Sequence, residues 1–144
     1  MGAQRPIADG VFTWPDEEPR LLGSRCEACG VVTFPTQAGC PRCGREGMVV
    51  TPLARRGTLW TWTSQDFLPK EPYAGPETED DFAGFLLGYV ELPDGVRVES
   101  RLVGIERDDV RIGMDLELAI VPFGRDEDGT EVLAYAFQPV GVSA

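Results

Sequence analysis

All four cysteines of the chain fall into two matched stretches, Cys26-Glu27-Ala28-Cys29-Gly30 and Cys40-Pro41-Arg42-Cys43-Gly44, with ten residues between Cys29 and Cys40. Thiolates paired at this spacing on a tight turn are metal ligands. Two such turns facing each other make one tetrahedral site, with bonds of about 2.3 Å that leave little geometric freedom. The glycine after each pair permits a backbone turn with positive φ, which brings amide N–H groups round toward the sulfurs. Four thiolates close the coordination shell, so no position is left for water or substrate and the expected role is structural. The reading is one structural zinc per chain; iron uses the same ligand set.

Other cysteine chemistries fit less well. A disulfide framework wants an oxidising compartment, yet Met1 to Gly10 is polar and holds no apolar run of signal length. A redox Cys-x-x-Cys normally opens a helix, whereas each pair here runs into glycine and then apolar or turn residues, which reads as hairpin. The chain contains no histidine, so with every cysteine committed to metal it lacks a Cys/His or Ser/His couple for acyl transfer on its own. A formal charge of −11 sets up a negative field that repels a phosphate backbone and argues against nucleic acid as a partner. No stretch approaches the roughly eighteen uninterrupted apolar residues of a membrane span, and a cytoplasmic location is expected.

Positioning the thiolates takes three short strands: Arg20 to Arg25 entering the first turn, Val31 to Phe34 returning from it, and Met48 to Leu53 leaving the second. A ribbon this small has no core of its own and depends on its metal. Three segments are expected: an arm over 1–19, the ribbon over 20–52 and a barrel over 53–144. The arm carries Pro6, Pro15, Pro19 and the acidic run Asp16-Glu17-Glu18, and reads as extended with one short helical turn. Its Phe12 and Trp14 either tuck onto the protein's own barrel or anchor a partner.

Beyond the ribbon, Gly57-Thr58-Leu59-Trp60-Thr61-Trp62-Thr63 is rich in strand formers and alternates in character. Phe82 to Leu92 forms a second barrel strand. Pro93-Asp94-Gly95 turns into a third, Val96 to Leu102, with Val96, Val98 and Leu102 on one face and Arg97, Glu99 and Arg101 on the other. Glu106 to Gly113 suggests a helical turn. Leu116, Leu118 and Ile120 alternate in the fourth strand, Gly124 to Gly129 is a charged turn, and Glu131 to Gln138 is the fifth strand. The expected architecture is therefore mainly β: a rubredoxin-like four-cysteine zinc ribbon followed by a five-stranded OB-fold barrel. Ser64 to Asp81 is a long connection whose Phe67, Lys70 and Tyr73 could grip a ligand or partner, or form a solvated flap.

Taken in order, Cys26-x-x-Cys29-Gly30, Phe34-Pro35, Cys40-Pro41-x-Cys43-Gly44, Gly57 to Thr63, Gly88-Tyr89-Val90-Glu91-Leu92 and Ile112-Gly113-Met114 resemble the zinc-ribbon/OB-fold acyl-CoA-associated family. The resemblance runs from Arg20 to Pro139. It implies a non-catalytic subunit that accompanies a thiolase-fold enzyme in a hetero-oligomer and helps bind or channel an acyl-CoA. Within the family, the Pro69-Lys70-x-Pro72-Tyr73 loop looks more like members paired with degradative thiolases, resembling the small subunit of benzoylsuccinyl-CoA-type thiolases, than like the shorter-looped archaeal type. Coenzyme A presents phosphates, so its contacts need local cations even on an acidic protein. Arg55, Arg56, Lys70, Arg97 and Arg101, with Tyr73 beside Lys70, are the candidates. Two other functions fit the same residues: a single-stranded nucleic-acid binder using Trp60, Trp62, Phe85 and Tyr89 as platforms, and a free-standing acyl-CoA binder.

Overall fold

The structure, a computed structural model of the chain, describes residues 3–8, 10–65 and 84–141. Lys70 and Tyr73, and with them nearly all of the Ser64–Asp81 connection, lie outside the described residues. The ribbon is a three-stranded antiparallel sheet of β2 (Leu22–Arg25), β3 (Val32–Thr33) and β4 (Val49–Pro52), with β2 in the middle. Its central strand must be narrow. Gly23 lies so close to its neighbours that a β-carbon there would stand 2.4 Å from the Thr33 carbonyl oxygen and 3.1 Å from a Leu53 methyl.

Five strands follow: β5 (Arg56–Gln65), β6 (Phe85–Glu91), β7 (Arg97–Leu102), β8 (Asp115–Arg125) and β9 (Glu131–Pro139). They run in the order β9-β7-β6-β5-β8, and β8 pairs back onto β9, which closes the sheet into the expected OB barrel. The inward residues of each strand form one core: Leu59 and Val90 from β5 and β6, Val98 from β7, Leu116 and Leu118 from β8, and Phe137 from β9. Leu21 and Leu53 belong to the same cluster, so ribbon and barrel share one continuous interior.

Several expectations shift at their boundaries. The first barrel strand is longer than Gly57 to Thr63, and β8 runs on through the stretch read as turn to Arg125, bending at a bulge between Pro122 and Gly124. Between β7 and β8 the helical turn is a single 3₁₀ turn, Arg107–Asp109, the one helical element among the described residues.

The arm departs most. It has no helical turn among its described residues, and Gln4–Pro6 forms a strand, β1, pairing in parallel with β9 from Glu131 to Leu133. Further along, Leu22 N–H donates to Val11 O and Thr13 N–H to Arg20 O, both at 2.9 Å, which lays the arm antiparallel on the entrance to the ribbon. Phe12 is buried in the shared core and Trp14 packs edge-on against it, with ring centroids 6.4 Å apart. The two aromatics are thus tucked onto the protein's own core.

Candidate functional site

Each cysteine turn is built the same way. Gly30 N–H donates to Cys26 O at 2.8 Å and Gly44 N–H to Cys40 O at 2.9 Å, and both glycines have φ near +77° (78° and 76°), a conformation costly for any residue with a β-carbon. The glycine amides therefore close the turns, and the amides facing sulfur come from inside them. The Cys29 and Ala28 amides lower the Cys26 thiol. Those of Cys43 and Arg42, with the Cys43 N–H 3.4 Å from Cys40 Sγ, bring Cys40 down to about 6. At Cys29 the Val31 amide also pulls downward, but burial and the neighbouring thiols outweigh it and push the group up to about 11.

All four sulfurs lie within 4.8 Å of one another. Two separations join opposite turns, Cys26 to Cys43 at 3.6 Å and Cys29 to Cys40 at 3.5 Å. These distances are far too long for disulfides. They approach the edge of a tetrahedron drawn around a metal with thiolate bonds of about 2.3 Å, which is about 3.8 Å. The donor set fits a metal ion, with Cys26 and Cys40 buried beneath it and Cys29 and Cys43 exposed.

The basic candidates separate into two groups. Arg55 works at the junction of ribbon and barrel, its guanidinium donating to Pro19 O at 3.0 Å and Leu118 O at 3.4 Å. Arg20 makes a parallel strut to Leu53 O at 2.7 Å. Neighbouring Arg56 lies 3.5 Å from Glu117 on the barrel exterior. Arg97 and Arg101, by contrast, both line a cleft of about 670 Å³ between β7 and the β8–β9 hairpin.

The cleft brings together groups that are far apart in sequence. Phe34 and Pro35 of the ribbon reach one side, where the Phe34 ring meets Tyr135 edge-on at 5.6 Å. Arg97 lies over Trp60 with its guanidinium carbon 3.9 Å from the ring centroid, and pairs with Glu91 at 3.0 Å. Arg101 covers Phe85 at 3.8 Å and approaches Phe123 across the cleft at 5.3 Å. Tyr89 donates to the Glu99 carboxylate at 3.2 Å, a bond that raises its own hydroxyl above the ordinary value. Of the four aromatics read as a platform, Trp60 and Tyr89 are exposed, whereas Trp62 is half-buried against the core and Phe85 sits under Arg101.

Residue types announced the thiolates, but Tyr135, Phe34 and Phe123 gave no signal in the sequence as cleft residues. They are aromatics in strands or turns, and only barrel closure brings them to β7. Among the described residues, no helix is long and apolar enough to cross a membrane.

Residues 13–49 match the family described as "ChsH2, rubredoxin-like zinc ribbon domain", and residues 50–121 match "ChsH2, C-terminal OB-fold domain". The chain is 33% identical over 122 residues to a "Benzoylsuccinyl-CoA thiolase subunit BbsA" of Thauera aromatica, spanning 85% of this chain and 78% of that one. It is 30% identical over 134 residues to a "DUF35 domain-containing scaffold protein" of Methanocaldococcus jannaschii, spanning 90% of each. Among solved structures, a chain of an "Ltp2-ChsH2(DUF35) aldolase" superposes with a TM-score of 0.62 at 28% identity, covering 83% of this chain and 84% of that one.

Proposed function

Because the chain belongs to the ChsH2-type zinc-ribbon/OB-fold family, we propose that it is a non-catalytic accessory subunit of an acyl-CoA thiolase or a related thiolase-fold carbon–carbon bond-forming or bond-cleaving enzyme. The observation that carries the reading is near full-length similarity to thiolase subunits in a chain that contains no histidine. Catalytic groups then come from the partner. This chain contributes surface: it helps bind or channel the CoA ester and shapes the entrance to the partner's active site.

One zinc ion, held by Cys26, Cys29, Cys40 and Cys43, supplies no chemistry to the substrate in this reading. Its ligands clamp the ribbon so that Phe34 and Pro35 are held against the barrel cleft. Contact with the CoA ester is assigned to the end of the cleft where Gln65 pairs with Phe85 and the 66–83 connection leaves the barrel. Arg101 stands there, and Lys70 and Tyr73 belong to that connection. A four-thiolate metal site suits a reducing compartment, which supports a cytoplasmic location in this reading.

Purification of the tagged chain at native expression level, with identification of what accompanies it, tests the reading. A thiolase-fold enzyme should be recovered at fixed stoichiometry. A chain that purifies alone, and that binds acetyl-CoA by calorimetry without help, is instead a free-standing acyl-CoA binder.

A further inference from the structure

The barrel closes incompletely between β7 and β9. Their ladder holds at one register position, Leu102 opposite Phe137, where Val103 N–H donates to Phe137 O at 2.9 Å. Nearer its start, β9 pairs instead with β1, from Glu131 to Leu133. Between these two points a side chain spans the gap: the Tyr135 hydroxyl donates to the Glu99 carbonyl at 3.1 Å. Burial first, and then the Glu99 charge, raise that hydroxyl above its ordinary value, so it remains a protonated donor at neutral pH.

Ladder parity fixes which main-chain groups face the gap. The β6–β7 hairpin closes with Leu92 N–H on Val96 O at 2.9 Å. In the alternating pattern of an antiparallel pair, Val98, Ser100 and Leu102 therefore exchange hydrogen bonds with β6, while Arg97 and Glu99 turn their N–H and C=O groups the other way. The Tyr135 bond to Glu99 O agrees with this parity. Neither β9 nor β1 stands in register opposite Arg97 or Glu99 on that side among the described residues.

Edge strands are commonly shielded by long charged side chains. At the middle of β7 those side chains are drawn off the edge. Arg97 lies back over Trp60 and the Glu99 carboxylate turns to Tyr89, toward β5 and β6, while Arg101, further on, covers Phe85 and reaches Phe123 across the cleft. Beside this stretch of the edge, where Tyr135 takes the Glu99 carbonyl and the remaining Arg97 and Glu99 main-chain groups face the gap, lies the cleft, with Val121 and Phe123 among its lining.

An exposed main-chain edge beside an apolar wall recognises one kind of ligand well: an extended polypeptide, held by main-chain hydrogen bonds and selected by alternate side chains. We propose that the β7 edge at Arg97 to Glu99 receives an extended segment of the partner enzyme, added as a strand in the cleft with alternate apolar residues toward Val121 and Phe123. This rests on the accessory-subunit reading above and specifies where the partner docks.

The test uses the ¹⁵N-labelled full chain, alone and in complex with the enzyme that co-purifies with it. The Glu99 amide should exchange quickly in the free chain and at least about 100-fold more slowly in the complex. Two variants separate backbone from side chain. Glu99→Pro removes an N–H that parity turns away from β6 and toward the gap, so the β6–β7 ladder should tolerate it, and binding to the partner should weaken about 30-fold. Glu99→Ala should bind within about threefold of the parent, since the side chain is turned away from the edge.

A complex that forms with unchanged Glu99 exchange overturns this inference and leaves the accessory-subunit reading standing. Recovery of no complex overturns both. Protection of Glu99 by coenzyme A or acetyl-CoA alone makes the edge a small-molecule site and also overturns the inference. Should Glu99→Pro fail to fold, the exchange measurement on the parent chain decides.

Discussion

Gly23→Ala joins the packing of the ribbon to the metal it holds. The added β-carbon would stand 2.4 Å from Thr33 O, about 1 Å inside the 3.4 Å at which ordinary contact begins. The obstacle is backbone, so no rotamer change relieves it. Either β3 moves off β2, which pair only at Ser24–Thr33 and Arg25–Val32, or the Leu53 side chain and the core beneath it give way. Overpacking of this kind costs about 1–3 kcal/mol, and a fixed carbonyl places it toward the upper end, about 2–3 kcal/mol. Because metal binds the folded ribbon and not the unfolded one, the same energy appears as weaker metal affinity. At about 1.4 kcal/mol per factor of ten, the apparent dissociation constant should rise about 30- to 150-fold. Competition against a chromogenic chelator measures it directly. An affinity within about threefold of the parent, in protein whose zinc content is stoichiometric, would refute the coupling of strand packing to the metal.

Three further outcomes are expected. Elemental analysis should find one zinc per chain, and Cys43→Ser should lose both metal and ribbon order; metal-free protein with the dispersed amide spectrum of a folded ribbon would contradict this. Arg55→Ala should lower stability by about 1–3 kcal/mol in urea unfolding, because Pro19 O and Leu118 O lose a charged donor in a partly buried junction; an unchanged midpoint would return Arg55 to the list of surface cations. Asp126, hydrogen-bonded by Arg5 and so held below its ordinary 3.8, ties β1 to the β8–β9 turn. Its folded-state value is depressed, so its contribution is present above pH 3.8 and lost as the pH falls through the folded value. The protection of the Ile7 amide relative to its intrinsic exchange rate should therefore fall on acidification below about pH 3.8, and Asp126→Asn should abolish that acid-dependent step.

What could be read from the sequence followed range. The cysteine turns are local, each encoded within five residues, and their thiolates converge as the spacing requires. Alternation placed Val98 and Leu102 inside and Arg97, Glu99 and Arg101 outside, because strand periodicity is local too. Strand β1 was not legible: Gln4-Arg5-Pro6 has no strand pattern, and its conformation is dictated by the open edge of β9, more than a hundred residues away. Arg55 and Arg97 look alike as charges. Only tertiary structure commits one to two backbone carbonyls and lays the other across Trp60. The gap between β7 and β9 was equally hidden, since it arises from how far the barrel closes and no residue type announces it.

Thiolysis kinetics of the co-purifying enzyme, with and without this chain, test the central claim most directly. If the chain is an accessory subunit, stripping it from the complex should lower kcat/KM for the CoA ester, and adding back the zinc-loaded chain should restore it while the chain alone stays inactive. A partner whose kcat/KM is unchanged by removal and addition of the chain would contradict the account.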